Sequence, residues 1–486
     1  MLSGLWKLVC IALLAKPVVA FANPTLLKDI YEGPLDSAYR IDSDIAGSRS
    51  SIHKISEDFA VFIVSNSGGP ELWKTDGTSA GTTLLKAMHG SSPQAAWGAV
   101  VSLNEFAYFV LDGVLWRTDG SEAGTKSYSL DVSPYSVALL GNTFLLSAYS
   151  SELSDRVLLE FRHDTETVEL VKQFCDGLYI LEQGAVYQER IYFAADDCNG
   201  AGIELWSSDG TASGTVLEKD IKVPSGEFLI TNSFPSNFRS AGDKLYFSAE
   251  STESGKELWV VNGDSVSMVV DYRVGTASAF PVLHSSLGDS VLFTSWHGAV
   301  SDGVRRLSIS DGSSGGTVLV SNSKVADGPS PVVFGSHVYY VDFETKFLRK
   351  SAGNVGSDSA VSSVQIHSPL VASGNRVFYN GKANATGIEL HAYDAFADVE
   401  WLVSDISAGT TSSLPEHTIE LNGRLIFFAG DGSHGREPWV LDLSQVSPPI
   451  PPSSSSGGGG GGGAMWSPLL LALLGLRMLR NQSATS

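Results

Sequence analysis

The stretch Glu71-Leu72-Trp73-Lys74-Thr75-Asp76-Gly77-Thr78-Ser79-Ala80-Gly81-Thr82 decides the fold, because it recurs. It returns as Val114-Leu115-Trp116-Arg117-Thr118-Asp119-Gly120-Ser121, closed by Gly124-Thr125, and as Glu204-Leu205-Trp206-Ser207-Ser208-Asp209-Gly210-Thr211, closed by Gly214-Thr215. Aligning the chain on the leucine gives landmarks at Leu72, Leu115, Leu159, Leu205, Leu258, Leu307, Leu348, Leu390 and Pro438. Their spacing of roughly 40 to 50 residues, filled with short strand-like segments, is that of propeller blades.

Each unit has the same parts in the same order. A strand ends in Asp-Ile, as at Asp44-Ile45, Asp220-Ile221 and Asp405-Ile406, and a Gly/Ser loop follows. A variable strand then meets a two-residue turn such as Gly242-Asp243, Gly288-Asp289 or Asn422-Gly423, pairs that tolerate the positive φ of a tight hairpin. The next strand is apolar and aromatic (Phe106 to Phe109, Leu245 to Phe247, Leu425 to Phe428) and reads as the buried centre of a sheet. The Glu-Leu-Trp strand comes next, and the Asp-Gly-Thr turn ends it. Trp73, Trp116, Trp206, Trp259 and Trp439 are expected to pack between blades, each burial being worth about 2–3 kcal/mol.

The last unit lacks a fourth strand. Ala38 to Ile45 is the first candidate to supply it from the other end of the chain, and Leu26 to Ile30 the second. Closing a circle in this way removes open sheet edges. The expected fold is therefore all-β, a single propeller of nine four-stranded antiparallel blades over residues 23–446, closed by an N-terminal strand. The count is eight if the degenerate units around Leu159 and Leu348 are not full blades.

Composition agrees with many short strands and turns: 50 Gly against 19 Pro, with 43% hydrophobic and 17% charged residues. The net charge of −21 opposes binding to nucleic acid or anionic lipid and suits cationic partners, divalent ions or plain solubility. Of three cysteines, Cys10 lies in the N-terminal apolar run. Cys175 and Cys198 are candidates for a disulfide in an oxidising compartment, with two separate buried thiols as the alternative.

Both ends read as addresses. Residues 1–22 have the order of a signal peptide, with Lys7, an apolar run from Leu8 to Ala15, and Ala20-Phe21-Ala22 before a cleavage between Ala22 and Asn23. Residues 447–463 form a Pro/Ser/Gly-rich linker ending in Gly457 to Gly463. Residues 464–486 carry a short apolar run followed by Arg477 and Arg480, too short for a comfortable permanent span. An ordinary single-span anchor behind a linker is the other reading of this end. With both ends removed, the chain loses four cationic residues and no acid, so it becomes more acidic still.

Two resemblances follow from these residues. The segment from Gly457 to Arg480 is similar to the GlyGly-CTERM sorting signals of Gram-negative bacteria. That resemblance implies cleavage near the glycine tract by a rhombosortase-like intramembrane protease, type II secretion, transient membrane contact by the tail, and display at or release from the outer-membrane surface. The repeats, over most of residues 38 to 443, resemble the ELWxxDGT family of exported bacterial proteins. Asn262-Gly263, Ser351-Ala352-Gly353 and Ala392-Tyr393-Asp394 depart from its pattern. The resemblance specifies a repeat type and implies no activity.

No motif carries chemistry outright. Gly77 to Gly81 and Gly312 to Gly316 match Gly-x-Ser-x-Gly, but a nucleophile elbow needs a strand-turn-helix on an α/β sheet. No His-Glu-x-x-His helix and no phosphate-cradling Gly-x-x-x-x-Gly-Lys occurs. Asp196, Asp197 and Asn199, and separately Asp431 and Glu437, are oxygen-rich candidates for calcium, or ordinary turn residues. The repeated glutamate either rings a surface with carboxylates or caps the turn beside it and pairs locally. Trp97, Trp296 and Trp401 lie outside the repeat motif and are candidate stacking residues, against core packing. These residues support a binding or scaffold module for a glycan, a peptide or a surface protein. The alternatives are a polysaccharide lyase or hydrolase at the channel mouth and a structural surface-layer component.

Overall fold

Each of the nine landmark positions falls on the third strand of its own four-stranded sheet, directly across from the sheet's apolar second strand. Leu72 faces Ile63, Leu205 faces Ala194, Leu258 faces Ser248, Leu390 faces Asn380 and Pro438 faces Phe428. A computed structural model of the protein describes residues 23–33, 36, 52–66, 69–88, 97–103, 105–175, 184–223, 232–297 and 305–449. The segments assigned to the signal peptide, the glycine tether and the apolar tail lie outside the described residues.

The units around Leu159 and Leu348 are complete blades (Ser133–Leu140, Thr143–Ser150, Asp155–Arg162, Thr167–Phe174; and Val332–Phe334, His337–Val341, Leu348–Ser351, Ser359–Ala360), so the count is nine. In blade 8 the first strand is split into Gln365–Ile366 and Val371–Ser373, both paired with Arg376–Ala383. First strands of neighbouring blades approach one another around the axis, and fourth strands lie outermost.

The core consists of nine apolar clusters, and each spans one blade-to-blade seam. Leu140, Leu158 and Phe174 of blade 3 meet Ile191, Phe193 and Trp206 of blade 4. Leu421, Ile426 and Phe428 of blade 9 meet Ile52, Phe62 and Val64 of blade 1. That last cluster closes the ring. Burying apolar faces between sheets rather than within one sheet is what makes the circle cooperative. The motif tryptophans lie in these seams, with Trp206 and Trp259 buried.

Pairing between third and fourth strands shifts register at the landmark itself in several blades. The shift falls between Leu72 and Trp73, Leu205 and Trp206, Leu258 and Trp259, and Leu390 and His391. Two fourth-strand residues are spanned where one would pair, as in a β-bulge. The extra residue is Leu85, Val269 or Val403 in three of these blades, and each is buried. The bulge therefore turns one apolar residue of an outer strand into the seam.

The Asp-Gly-Thr turn is a hydrogen-bonded knot. Asp76 Oδ1 accepts from the Thr78 amide and hydroxyl, both at 2.7 Å. Thr78 Oγ1 accepts from the Gly81 amide, and the hydroxyls of Thr75 and Thr82 meet at 2.8 Å. The same bonds recur at 118–125, 208–215 and 310–317. A Cβ on Gly81 would stand 2.1 Å from the Asp76 carboxylate. This requirement for a second glycine produces the Gly-x-Ser-x-Gly match. Ser79 and Ser314 are exposed on turns between antiparallel strands, not on an elbow.

The missing fourth strand of blade 9 comes from Thr25–Leu26, which pairs with Val440 and Trp439. The second candidate segment, not Ala38 to Ile45, takes the place, and Ala38 to Ile45 lies outside the described residues. Asp29-Ile30 then stands where Asp220-Ile221 and Asp405-Ile406 stand in other blades. The Ile30 amide reaches Glu437 just as Ile221 and Ile406 reach Glu204 and Glu389.

Candidate functional site

Among the described residues, loops that carry the chain from a fourth strand to the next blade are held by side chains of the third strands. The motif glutamate holds these loops. Glu204 accepts from the Ile221 amide at 2.7 Å and from the Ser233 amide and hydroxyl at 3.0 and 2.6 Å. Glu257 accepts from the amides of Tyr272 and Ala279, and Glu389 from those of Ile406 and Ser413 and the Ser413 hydroxyl. All three side chains are fully buried. The glutamate thus clamps the next loop, and in blades 4, 5, 8 and 9 it does not ring an open surface. Burial pushes Glu204 and Glu257 up to about 7 against the pull of their donors.

A basic residue at one strand position works alongside. Lys256, Arg305 and Arg436 each stand two residues before the landmark and donate to the carbonyls of Phe234, Phe280 and Leu414. Those three residues have positive φ (46°, 47° and 50°) and precede a proline. Such backbone persists only where the surroundings hold it. At blades 5 and 6 it leaves the side chains of Phe234 and Phe280 outward, 45% and 41% exposed.

At blade 6 these features converge. Trp296 meets Phe280 edge-to-face at 5.1 Å, and the Arg305 guanidinium lies 5.7 Å from the Trp296 ring centre. Arg305 also lines a cavity of about 160 Å³ with Val282, His284, Thr294 and the loop Val325 to Pro331. His284 Nε2 lies 3.0 Å from Thr294 Oγ1. Burial first, then the charges of Arg239 and Arg305, push this histidine down to about 4, so it is neutral at ordinary pH. Asp327 Oδ1 is 3.7 Å from Arg305 Nε. A second cavity of about 420 Å³ shares the wall Ala326 to Pro329 and continues to Lys346 and Ile366 to Pro369.

The clamp is missing at both cavities. The position before the landmark is Arg306 in blade 6 and Phe347 in blade 7, where the clamped blades have glutamate. The loops leaving these blades border the cavities, and the amides of Ala326, Ile366 and His367 go instead to the carbonyls of Val341, Lys346 and Asn380.

The other candidates fare differently. Trp401 packs against the seam between blades 8 and 9, and the side chain of Trp97 lies outside the described residues. Asp196 accepts from the Cys198 amide, while Asp197 accepts from the amide and side chain of Asn199 and lies 3.5 Å from Lys172. Asp431 takes the amides of Ser433 and His434 and the His434 ring, and Glu437 turns inward to the Ile30 amide. Each of these carboxylates therefore closes a turn or clamps a segment. No group of three or more His, Cys, Asp or Glu arranged to hold a metal occurs among the described residues. Cys175 and Cys198 form a disulfide, with Cα atoms 5.8 Å apart, joining the end of blade 3 to a loop of blade 4. Phe280 escaped the sequence reading; the recurring triplets Ser233-Phe234-Pro235, Ala279-Phe280-Pro281 and Ser413-Leu414-Pro415 were the available signal.

No family model and no curated protein matches the chain. Among solved structures it is similar to the computationally designed Ika8 protein, at 11% identity over 82% of this chain and 98% of that one, with a TM-score of 0.39. It is also similar to a puromycin hydrolase, at 13% identity over 82% of this chain and 61% of that one, with a TM-score of 0.38. The β-propeller domain of the Trilobed protease from Pyrococcus furiosus is similar at 12% identity over 64% and 98%, with a TM-score of 0.35. At such identities and scores these likenesses say nothing about what this nine-bladed propeller binds.

Proposed function

We propose that the protein is an exported binding module, displayed on or released from a Gram-negative cell, that engages a glycan at the loop end of blades 6 to 8. The observation that carries this reading is the platform of Trp296, Phe280 and Arg305 at the edge of a cavity. An apolar ring face stacks on a sugar while neighbouring polar groups orient it. Among the described residues, Asp327 is the one carboxylate lining either cavity. Hydrolysis by paired carboxylates needs a second one placed across the bond, so the lining favours binding over cleavage. Export rests on the signal-peptide pattern and the similarity of residues 457–480 to a sorting signal.

A glycan and peptide array probed with the protein and with Trp296→Ala tests the reading. Retention on glycans, reduced about tenfold or more by the substitution, is expected. Retention on peptides alone, or turnover of a bound polysaccharide, would contradict it.

A further inference from the structure

The second cavity has a different chemistry from the platform beside it. Lys346 is presented by a turn that Asp342 organises, accepting from the Glu344 and Thr345 amides and the Thr345 hydroxyl. Its ammonium lies 4.5 Å from the Phe343 ring centre, and it makes no ion pair with any described carboxylate. Of the acids nearby, Glu344 pairs with Lys324 at 3.2 Å, and Asp327, which lines both cavities, lies 3.7 Å from Arg305. His367 lines the same wall. Burial, and then the charges of Lys382 and Lys346, hold its pKa below the ordinary value. Across the two cavities of this protein of net charge −21, two permanent cations, Arg305 and Lys346, thus stand against one lining carboxylate, Asp327. A volume of about 420 Å³ lies in the range of small-ligand sites.

We infer that this cavity takes the carboxylate of an acidic sugar, so that the ligand is a uronate-bearing glycan, with Lys346 pairing its charge and the His367 ring beside it. The inference rests on the glycan reading above. The shared wall Ala326 to Pro329 lets one oligosaccharide lie in both cavities, one sugar against Trp296 and the acidic one against Lys346. The two contacts divide the work: the platform holds any sugar face, and the cation selects the acid.

Calorimetry of the full-length protein with oligo-galacturonate, -glucuronate and -mannuronate, each beside its methyl ester, tests the division. At least one acid is expected to bind about tenfold tighter than its ester, a preference that shrinks as salt rises. Lys346→Met should bring acid and ester to about equal affinity without weakening the ester. His367→Gln, a gentler change, should reduce the preference without abolishing it. Equal binding of acid and ester that Trp296→Ala still weakens would overturn this inference and leave the glycan reading standing. Binding of neither would overturn both.

Discussion

Blades 4, 5, 8 and 9 carry a buried glutamate just before the landmark, and blades 6 and 7, beside which the two cavities lie, do not; blades 2 and 3, with Val114 and Leu158 there, lack it too. In the first group a buried glutamate gathers amides from the following loop or, in blade 9, from the N-terminal segment. In the second group Arg306 and Phe347 hold that position, and the following loops border the two cavities. The repeat builds a closed wheel, and two cavities lie beside blades that lack its clamp. Between blades 3 and 4 the Cys175–Cys198 disulfide ties the end of blade 3 to the loop between the second and third strands of blade 4.

The sharpest way to break this comparison is to remove a clamp. Glu389→Ala strips the acceptor from two amides and a hydroxyl and should cost about 3–5 kcal/mol in denaturant unfolding. Ser330→Ala, on an exposed part of the unclamped loop, should change stability by about 0.5 kcal/mol or less. Similar costs at both places would remove the distinction.

Reduction of the disulfide should cost about 2–3 kcal/mol, read as a lower melting temperature. Gly81→Ala should come next, at about 1–3 kcal/mol, because its Cβ meets the Asp76 carboxylate. Gly315→Ala, with nothing within 4 Å, should be close to neutral by the same unfolding assay.

The pH dependence sharpens the comparison most gently. Glu204 and Glu257 titrate near 7 in the fold and near the ordinary carboxylate value when unfolded. The folded state then holds the extra protons between about pH 4.5 and 7, so this contribution is full below that window and is lost as pH rises through it. His284 is held near 4, so its contribution has the opposite sense: present above about 6.5 and lost as pH falls toward 4. Glu257→Gln should flatten the decline between pH 5 and 7 by about 1–2 kcal/mol, and His284→Gln should flatten the acid limb. Unchanged unfolding curves in both variants would remove titration from the account.

The sequence made the blades legible because Leu and Trp are buried in the seams, and because the Asp-Gly-Thr knot needs particular residues at particular offsets. It did not choose the closing strand. Asp29-Ile30 and Asp44-Ile45 carry the same local signal, and only the seat beside Val440 and the reach of Glu437 separate them. The site was legible in one residue, Trp296, which stood outside the repeat. Its cavities were not: they lie beside Arg306 and Phe347, but Val114 and Leu158 hold the same position in blades 2 and 3, so a missing glutamate does not by itself mark a cavity. Phe280 was hidden for another reason: its exposure comes from a positive φ before Pro281, held by a strand residue 25 positions away in the chain.

Amide hydrogen exchange on the intact protein reaches the central claim most directly. The amides of Ile221, Ser233, Ala279, Ile406 and Ser413, each bonded to a clamp glutamate, should exchange at least about a hundredfold more slowly than those of Gly328 and Ser330. Comparable rates in the two sets would contradict it, because the clamp would then hold nothing that the open loops lack.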